Sequence, residues 1–358
     1  MKIGIVGLPN VGKSTLFTAL TKRVVPAENY PFCTIEPNVG IVPVPDLRLR
    51  SLATVSRSNQ TIPTIIEFMD IAGLVAGAHK GEGLGNKFLS HIRNVDAIVE
   101  VVRGFESSEI HHIEGSVNPK RDIETISLEL IMSDLELVEK RVADLSKKAR
   151  GNDKESSEKL SVLEKIKPLL NEGRRADAAK LTEDEVLIIK ELNLLTLKPI
   201  LYVFNIINQT NASLEEHYHA LLSPSPTLFL NIQTEAELID VPENELQEYL
   251  TQFNLSDTGL NKLIQSSYAL LRLITFFTSG EKETRGWTVA RGGTAPIAAG
   301  KIHSDIEQGF IRAEVINWKN FVDVGGWGES KEKGLVRIEG KEYVIADGDV
   351  CYFRFAPR

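Results

Sequence analysis

Residues 7–14 of this 358-residue chain form a glycine-rich segment between a strand pattern and a helix pattern. They read Gly-Leu-Pro-Asn-Val-Gly-Lys-Ser, which satisfies the spacing G-x-x-x-x-G-K-[ST]. Residues 2–6 are short and apolar, whereas residues 14–20 carry apolar side chains at helical spacing. A strand, a glycine loop and a helix N-terminus together hold phosphate, because the backbone N–H groups and the helix dipole favour an anion there. The sequence therefore predicts a nucleoside triphosphate site that contains Asn10, Val11, Gly12, Lys13, Ser14 and Thr15.

Length and composition limit the class of protein. A chain of 358 residues exceeds one ordinary core, so two or three domains are expected. A net charge of -8 provides no global attraction to nucleic acid or to an anionic membrane. Two distant cysteines fit a reducing compartment, and neither a signal peptide nor an apolar run of ~18 residues is evident. We therefore expect a cytoplasmic location and no membrane partner.

The order of apolar runs predicts an α/β fold. Strands and helices alternate at first, which is typical of a mostly parallel sheet covered by helices. The predicted strands are 2–6, 38–44, 64–69, 97–102, 198–204 and 227–231. A helix is predicted at 260–273, and from residue 274 onward short strands and glycines indicate a small α+β domain.

A charged helical segment interrupts this α/β pattern. Residues 119–191 contain fifteen Lys or Arg and seventeen Asp or Glu, with apolar residues at helical spacing on both sides of a break at 151–153. This pattern predicts a helical hairpin of coiled-coil type inserted into the nucleotide-binding domain. The expected domains are 1–116 with 198–273, the insertion 117–197, and the C-terminal domain 274–358.

A triphosphate hydrolase also needs magnesium ligands and a sensor of the γ-phosphate. Ser14 supplies one oxygen, Thr34 lies in the loop where a first switch would present a hydroxyl, and Asp70 ends an apolar strand. Gly73 follows Asp70 at the spacing of a second switch, and its N–H would contact the γ-phosphate while Lys13 reaches the outer phosphates. We expect Mg²⁺ as the cofactor, held by Ser14, Thr34 and Asp70.

Leu74 occupies the position where Ras-type GTPases carry a water-orienting glutamine. Leucine cannot orient water, so intrinsic hydrolysis should be slow unless another group assists. His79, His111 and His112 are candidates for that assistance, and a structural or surface role is the alternative for each.

The loop after the strand at 198–204 should select the base. A guanine reader has the pattern N-K-x-D, but this chain has Asn205, Ile206, Ile207 and Asn208, without a carboxylate or a lysine. An amide offers both a donor and an acceptor, which suits the adenine edge. We therefore expect Asn205, Ile206 and Asn208 at the base and ATP as the nucleotide, with mixed specificity for GTP left open.

These motifs together resemble the YchF, or Obg-like ATPase, family over essentially the whole chain. The matching stretches are residues 4–15, 31–38, 70–75, 80–89, 294–296, 298–303 and 347–350. The resemblance implies a C-terminal TGS domain with a ubiquitin-like fold, ATP preferred over GTP, and association with the ribosome or its large subunit. It also implies K⁺-assisted hydrolysis through Asn10 and a catalytic role for His112. Asn208 departs from the family pattern N-x-x-E, and residues 231–235 also differ at their start.

Three function classes follow from these features. The first is a slow ATP-hydrolysing switch that acts on the translation machinery. The second is a P-loop phosphotransferase, and the third is a binding module gated by nucleotide with negligible hydrolysis. RNA is a candidate partner, although residues 278–358 contain twelve basic and twelve acidic residues and so have no basic bias. We expect a monomer.

Overall fold

The computed structural model describes residues 1–22, 38–71, 84–107, 115–149, 153–207, 212–253 and 255–356. Within these residues the strands are β1 (Lys2–Val6), β2 (Val39–Pro43), β3 (Thr61–Ile62), β4 (Ile65–Asp70), β5 (Ala97–Arg103), β6 (Ile200–Asn205), β7 (Thr227–Leu230), β8 (Leu273–Ser279), β9 (Thr284–Ala290), β10 (Phe310–Asn317), β11 (Arg337–Glu339) and β12 (Asp349–Phe355). The helices are α1 (Lys13–Thr21), α2 (Leu47–Ser56), α3 (Leu84–Arg93), α4 (Pro119–Ala149), α5 (Lys154–Asn171), α6 (Glu183–Ile188), α7 (Ala212–Leu222), α8 (Ile232–Leu238), α9 (Glu243–Gln252), α10 (Gly259–Leu270), α11 (Ala295–Ile302), α12 (Ser304–Gln308), α13 (Trp318–Val324) and α14 (Trp327–Glu332).

The first sheet has the parallel character that the sequence predicts. Among the described residues it contains six strands in the order β2-β4-β1-β5-β6-β7. β1 pairs in parallel with β4 and β5, and β6 pairs in parallel with β5 and β7. Every residue of β5 and β6 is buried, as expected for central strands covered on both faces. This arrangement confirms the predicted α/β class and brings the carboxyl ends of β1, β4, β5 and β6 to one edge.

The predicted helical hairpin is also confirmed. α4 has 31 residues and α5 has 18, and the two helices pack against each other through a shared apolar core. Val138 of α4 and Leu163 and Ile166 of α5 are fully buried in that core. Although charged residues dominate this segment, its apolar residues recur at helical spacing. They therefore share one face of each helix and form the core between the two helices.

The described residues divide into two compact units. The first contains the P-loop, β1, β5 to β7 and the hairpin, and the second contains residues 41–66 with residues 260–356. The sheet of the second unit has the strand order β11-β10-β12-β8-β9-β3. Its edge strand β3 pairs in parallel with β9, so a segment from early in the chain completes the C-terminal sheet.

The helix predicted at 260–273 is wrong at its C-terminal end. α10 ends at Leu270, and Leu273 already pairs with Ala290 as the first residue of β8. Arg272 lies between them with a φ of 52°, a left-handed conformation that a helix cannot continue through. The apolar residues around this turn fit either a helix or a buried strand, and only strand pairing separates the two.

No helix among the described residues combines the length and the apolar character needed to cross a lipid bilayer.

Candidate nucleotide-binding site

The P-loop follows β1 and leads directly into α1, as the sequence predicts. Gly7 and Gly12 have φ values of 153° and 106°, and Asn10 is left-handed with a φ of 62°. A Cβ on Gly7 would lie 2.5 Å from the carbonyl oxygen of Val101, and one on Gly12 would lie 2.7 Å from Asn205 Nδ2. Both glycines are therefore required by space as well as by conformation. The loop packs tightly on β5 and β6 and leaves the start of α1 facing a cavity.

Lys13 is buried at the first position of α1. Its Nζ donates a hydrogen bond to the carbonyl oxygen of Leu8 at 2.7 Å. Burial lowers the pKa of Lys13 to about 8, and the nearby Asp70 carboxylate opposes part of this effect. An anion beside this ammonium group would replace the hydration that burial removes, so the site favours a phosphate there.

Ser14 and Asp70 lie next to each other although 56 residues separate them. Ser14 Oγ donates to Asp70 Oδ2 at 3.2 Å, and Asp70 is the last residue of β4. Two oxygen ligands beside a phosphate cradle suit Mg²⁺, which takes few protein ligands and completes its shell with phosphate and water oxygens. The described residues contain no cluster of three or more His, Cys, Asp or Glu side chains suited to a metal. The donor set around Ser14 therefore fits a magnesium ion that arrives with a nucleotide.

Asn205 connects the end of β6 to two other segments of the site. Its Nδ2 donates to the carbonyl oxygen of Val11 at 2.9 Å, and its Oδ1 accepts from the Ile232 N–H at 3.3 Å. Asn205 is 8% exposed, and both ends of its side-chain amide are hydrogen-bonded to backbone groups. The geometry gives Asn205 a positioning role between the P-loop and the start of α8.

A cavity of about 620 Å³ opens over the P-loop. This volume lies in the range of small-molecule sites. Its lining residues are Asn10, Gly12, Lys13, Ser14, Thr15, Phe105, Asn205, Ile206, Ile207, Asn231, Ile232 and Gln233. The structure therefore brings the sequence-predicted phosphate residues and two of the predicted base residues to one cavity. Val11 is buried beneath it, with its carbonyl bound by Asn205.

Phe105 is a lining residue that the sequence analysis did not identify. It lies two residues beyond β5, and its carbonyl oxygen accepts from Arg103 Nε at 3.0 Å. The Arg103 guanidinium carbon lies 4.7 Å from the centre of the Phe105 ring. This stacking fixes the ring at the edge of the cavity. Its position just after a buried strand could have indicated this place at the cavity, because ligands bind beyond the carboxyl ends of parallel strands.

In the sequence Asn231 is the last residue of the predicted strand 227–231 and a departure from the family pattern. In the structure it is the N-cap of α8, where its Oδ1 accepts from the Thr234 N–H at 3.1 Å. Its Nδ2 donates to the carbonyl oxygen of Ile207 at 2.9 Å. Asn231 therefore ties the start of α8 to the loop that follows β6.

Several predicted site residues lie outside the described residues. They are Thr34, Gly73, His112 and Asn208, together with Leu74, His79 and His111. Their roles stay predictions from the sequence.

Comparison with protein-family models finds two matches. Residues 2–136 match a family described as 50S ribosome-binding GTPase. Residues 273–356 match the model YchF-GTPase_C, described as a protein of unknown function. The two models together span both ends of the chain.

Curated relatives match the chain over nearly its whole length. The ribosome-binding ATPase YchF of Bacillus subtilis is 48% identical and covers 98% of this chain and 98% of its own. The proteins of the same name from Haemophilus influenzae and Escherichia coli O157:H7 are 48% and 47% identical, each covering 99% of both chains.

A solved structure shares the fold. The YchF GTPase of Schizosaccharomyces pombe superposes with a TM-score of 0.87 at 37% identity, covering 99% of this chain and 97% of its own. The P-loop cavity, the inserted hairpin and the C-terminal sheet thus occur in a chain that belongs to the YchF family.

Proposed function

We propose that this chain is a ribosome-associated P-loop nucleotide hydrolase that prefers ATP to GTP. The observation that carries the proposal is one cavity lined by Lys13, Ser14, Asn205 and Phe105, with Asp70 hydrogen-bonded to Ser14. The association with ribosomes is supported by the names of the relatives. The domain boundaries at 117, 198 and 274, a monomeric state and a cytoplasmic location stay predictions from the sequence.

The phosphate end of the cavity would bind and orient the triphosphate. The N–H groups at the start of α1 and the helix dipole face the phosphates. Lys13 would exchange its bond with the Leu8 carbonyl for the outer phosphates, because an ammonium group pairs better with a phosphate than with a neutral carbonyl. A magnesium ion held by Ser14 and Asp70, with Thr34 from the sequence, would neutralise charge on the phosphates when it is bound. Asn10 lies at the same end, where the family resemblance implies K⁺.

The residues that line the cavity away from the phosphate end suit the adenine base. Ile206, Ile207 and Ile232 provide apolar walls, and the Phe105 ring offers a face for stacking. The side-chain amide of Asn205 is bonded to the backbone, the Ile206 N–H donates to the Leu230 carbonyl, and the Ile207 carbonyl accepts from Asn231. The Ile206 carbonyl is therefore the better candidate to read the base edge, because it can accept from the 6-amino group of adenine, where guanine presents a carbonyl.

The names of the relatives differ on the nucleotide. The bacterial proteins are named ATPases, whereas the fission yeast structure and the N-terminal family model are named GTPases. Slow intrinsic turnover is expected from Leu74, with Gly73 as the γ-phosphate sensor and His112 as the candidate catalytic aid. These roles rest on the sequence.

The test is phosphate release by the purified chain with ATP and with GTP, in K⁺ and in Na⁺, each with and without ribosomes. We expect ATP to be preferred and ribosomes to raise the rate. Lys13→Ala is the matched loss-of-function variant, and equilibrium binding of a fluorescent ATP analogue separates binding from turnover. Tight binding without phosphate release under any condition would replace the hydrolase with a nucleotide-gated binding module.

A further inference from the structure

The acidic charge of this chain is concentrated in one segment. Residues 199–261, the acidic segment, contain nine Asp or Glu and no Lys or Arg. Outside the acidic segment the chain is almost balanced, with 40 acidic and 41 basic residues. One segment therefore accounts for the whole negative net charge, and a strong local imbalance of charge favours a partner of the opposite sign.

Most of this charge lies on or beside α8 and α9. Six of the nine acidic residues fall between residues 235 and 248. Asp240 pairs with Lys22 at 2.9 Å, so part of the charge is already neutralised. Glu245 and Glu248 are exposed, and neither carboxylate has an ion pair within the residues that the structure describes. These two carboxylates are therefore available to an external cation.

The C-terminal end of α9 also exposes apolar side chains. Phe253 is 46% exposed and Leu255 is 41% exposed. The rings of Tyr249 and Phe253 lie against each other with centroids 4.7 Å apart. The N–H of Leu255 donates to the carbonyl oxygen of Leu250 at 2.8 Å, so the chain folds back and keeps Leu255 beside the helix end. We call Tyr249, Phe253 and Leu255 the α9 strip.

Helical spacing places the α9 strip next to an acidic group. Glu245, Tyr249 and Phe253 follow one another at intervals of four residues, so they form one row along the helix. The row continues to Phe253 because its N–H donates to the carbonyl oxygen of Tyr249 at 3.1 Å. Leu250 is adjacent to this row and is only 6% exposed, so α9 uses one side for the core and leaves the row at the border with solvent. Grouped apolar side chains of this kind mark contact surfaces.

Charge determines which kind of molecule can cover the α9 strip. A nucleic acid or an anionic membrane would meet carboxylates without a neighbouring cation from the acidic segment. A second copy of this chain in a symmetric dimer would bring the same carboxylates together. A protein segment rich in lysine or arginine, with apolar side chains at helical spacing, fits both features. Its cations would pair with Glu245 and Glu248, and they are also attracted to the faces of aromatic rings.

We propose that the α9 strip, with Glu245 and Glu248, binds a basic amphipathic segment of a partner protein. The apolar side of that segment packs on Tyr249, Phe253 and Leu255, in the manner of an amphipathic helix laid on an apolar surface. Its basic side lies over the carboxylates. The proposal depends neither on the nucleotide site nor on the hydrolysis of ATP.

The test is fluorescence anisotropy of the full chain with a fluorescein-labelled peptide of lysine and leucine, about 14 residues or four helical turns long, with leucines at helical spacing. We expect this peptide to bind more tightly than polylysine of the same length, which has no apolar anchor. A peptide with glutamate in place of lysine should not bind. Phe253→Ser should weaken binding of the lysine–leucine peptide about tenfold, as loss of an interface anchor does, whereas Phe253→Leu should keep most of the affinity.

A matched pair of double variants tests the role of charge. Glu245→Gln/Glu248→Gln should weaken binding several-fold at roughly 50 mM salt, and the difference should vanish near ~1 M salt, where the screening length is about 3 Å. Glu124→Gln/Glu158→Gln makes the same change of net charge at exposed positions of the hairpin and should have little effect.

Each variant should keep the wild-type unfolding curve and affinity for an ATP analogue, which separates loss of binding from loss of folding. Equal weakening by the two double variants would overturn the proposal, because the attraction would then be to acidic charge in general. Unchanged peptide affinity in Phe253→Ser would also overturn it. So would binding of oligouridylate that Phe253→Ser weakens, since the surface would then hold RNA and not a basic protein segment.

Discussion

The side-chain amide of Asn205 donates to the carbonyl oxygen of Val11 at 2.9 Å across 194 residues of sequence. This bond joins the end of β6 to the middle of the P-loop. The same amide accepts from the N–H of Ile232 at the start of α8. One buried side chain therefore links the P-loop, the end of β6 and the start of α8.

Replacing Asn205 should weaken nucleotide binding without changing base preference. In Asn205→Ala the carbonyl of Val11 and the N–H of Ile232 lose their partner in a largely buried position, which costs roughly 1–3 kcal/mol per group. We expect affinity for ATP and GTP analogues to fall together, by about tenfold or more. Titration of both analogues measures this, with Asn171→Ala as a control at an exposed asparagine ending α5. A selective loss of ATP binding would contradict the positioning role.

Replacing Asn231 should change base preference more than overall affinity. Asn231→Ser keeps a hydroxyl that can cap α8 but cannot reach the Ile207 carbonyl as the longer amide does. The peptide groups of the base-selecting loop should then be less well fixed, and the ATP-to-GTP affinity ratio should move several-fold toward unity. Isothermal titration with both analogues reports the ratio. An unchanged ratio with lower affinity for both would show that Asn231 only stabilises the helix.

Nucleotide affinity should depend on pH through Lys13. Its pKa in the free protein is lowered to about 8 by burial, and a bound triphosphate would raise it. Binding should be tightest below pH 8 and should weaken above it, by up to about tenfold per pH unit, as the free ammonium group loses its proton. Fluorescence titrations between pH 7 and about pH 9.5 test this, and Lys13→Arg should have a flat profile because its guanidinium keeps its charge. A flat wild-type profile would contradict the prediction.

Stability should depend on pH through Glu100, a β5 residue that is 1% exposed. Among the described residues its Oε1 and the Nη1 of the nearby Arg175 have no hydrogen-bond partner. Burial raises the pKa of Glu100 to about 8, and Arg175 opposes part of this shift while Asp122 adds to it. The folded chain thus holds this proton more tightly than the unfolded chain. Its contribution to the unfolding free energy is full below the ordinary pKa of 4.5 and is lost as the pH rises through about 8.

Glu100→Gln should therefore become more stable than the wild type as the pH rises. We expect the difference in unfolding free energy to grow by roughly 4 kcal/mol between pH 5 and pH 8.5, because the amide stays neutral. Urea denaturation at several pH values measures this. Glu67→Gln, at a partly exposed glutamate of β4, should show no comparable trend. Parallel pH profiles for Glu100→Gln and the wild type would contradict the prediction.

Local sequence patterns determined the elements of this protein and the phosphate half of its site. The spacing of Gly7, Gly12, Lys13 and Ser14 specifies a cradle within eight consecutive residues, so chain order alone brings those groups together. Apolar periodicity likewise specified the central strands and the hairpin, because burial of one face depends only on the local repeat. At 271–273 apolar periodicity did not separate the end of a helix from the start of a strand, because either would carry apolar residues there.

Tertiary structure decided the relations that span the sequence. Strand order and register determine the bonds of Asn205 to Val11 and Ile232 and the place of Phe105 at the cavity. Register decides which side chains share a face of a sheet. A shift of one residue would move every side chain of the shifted strand to the opposite face. A local pattern carries no information about a partner 194 residues away, so the contacts that join the P-loop to the end of β6 emerged only when the strands were paired.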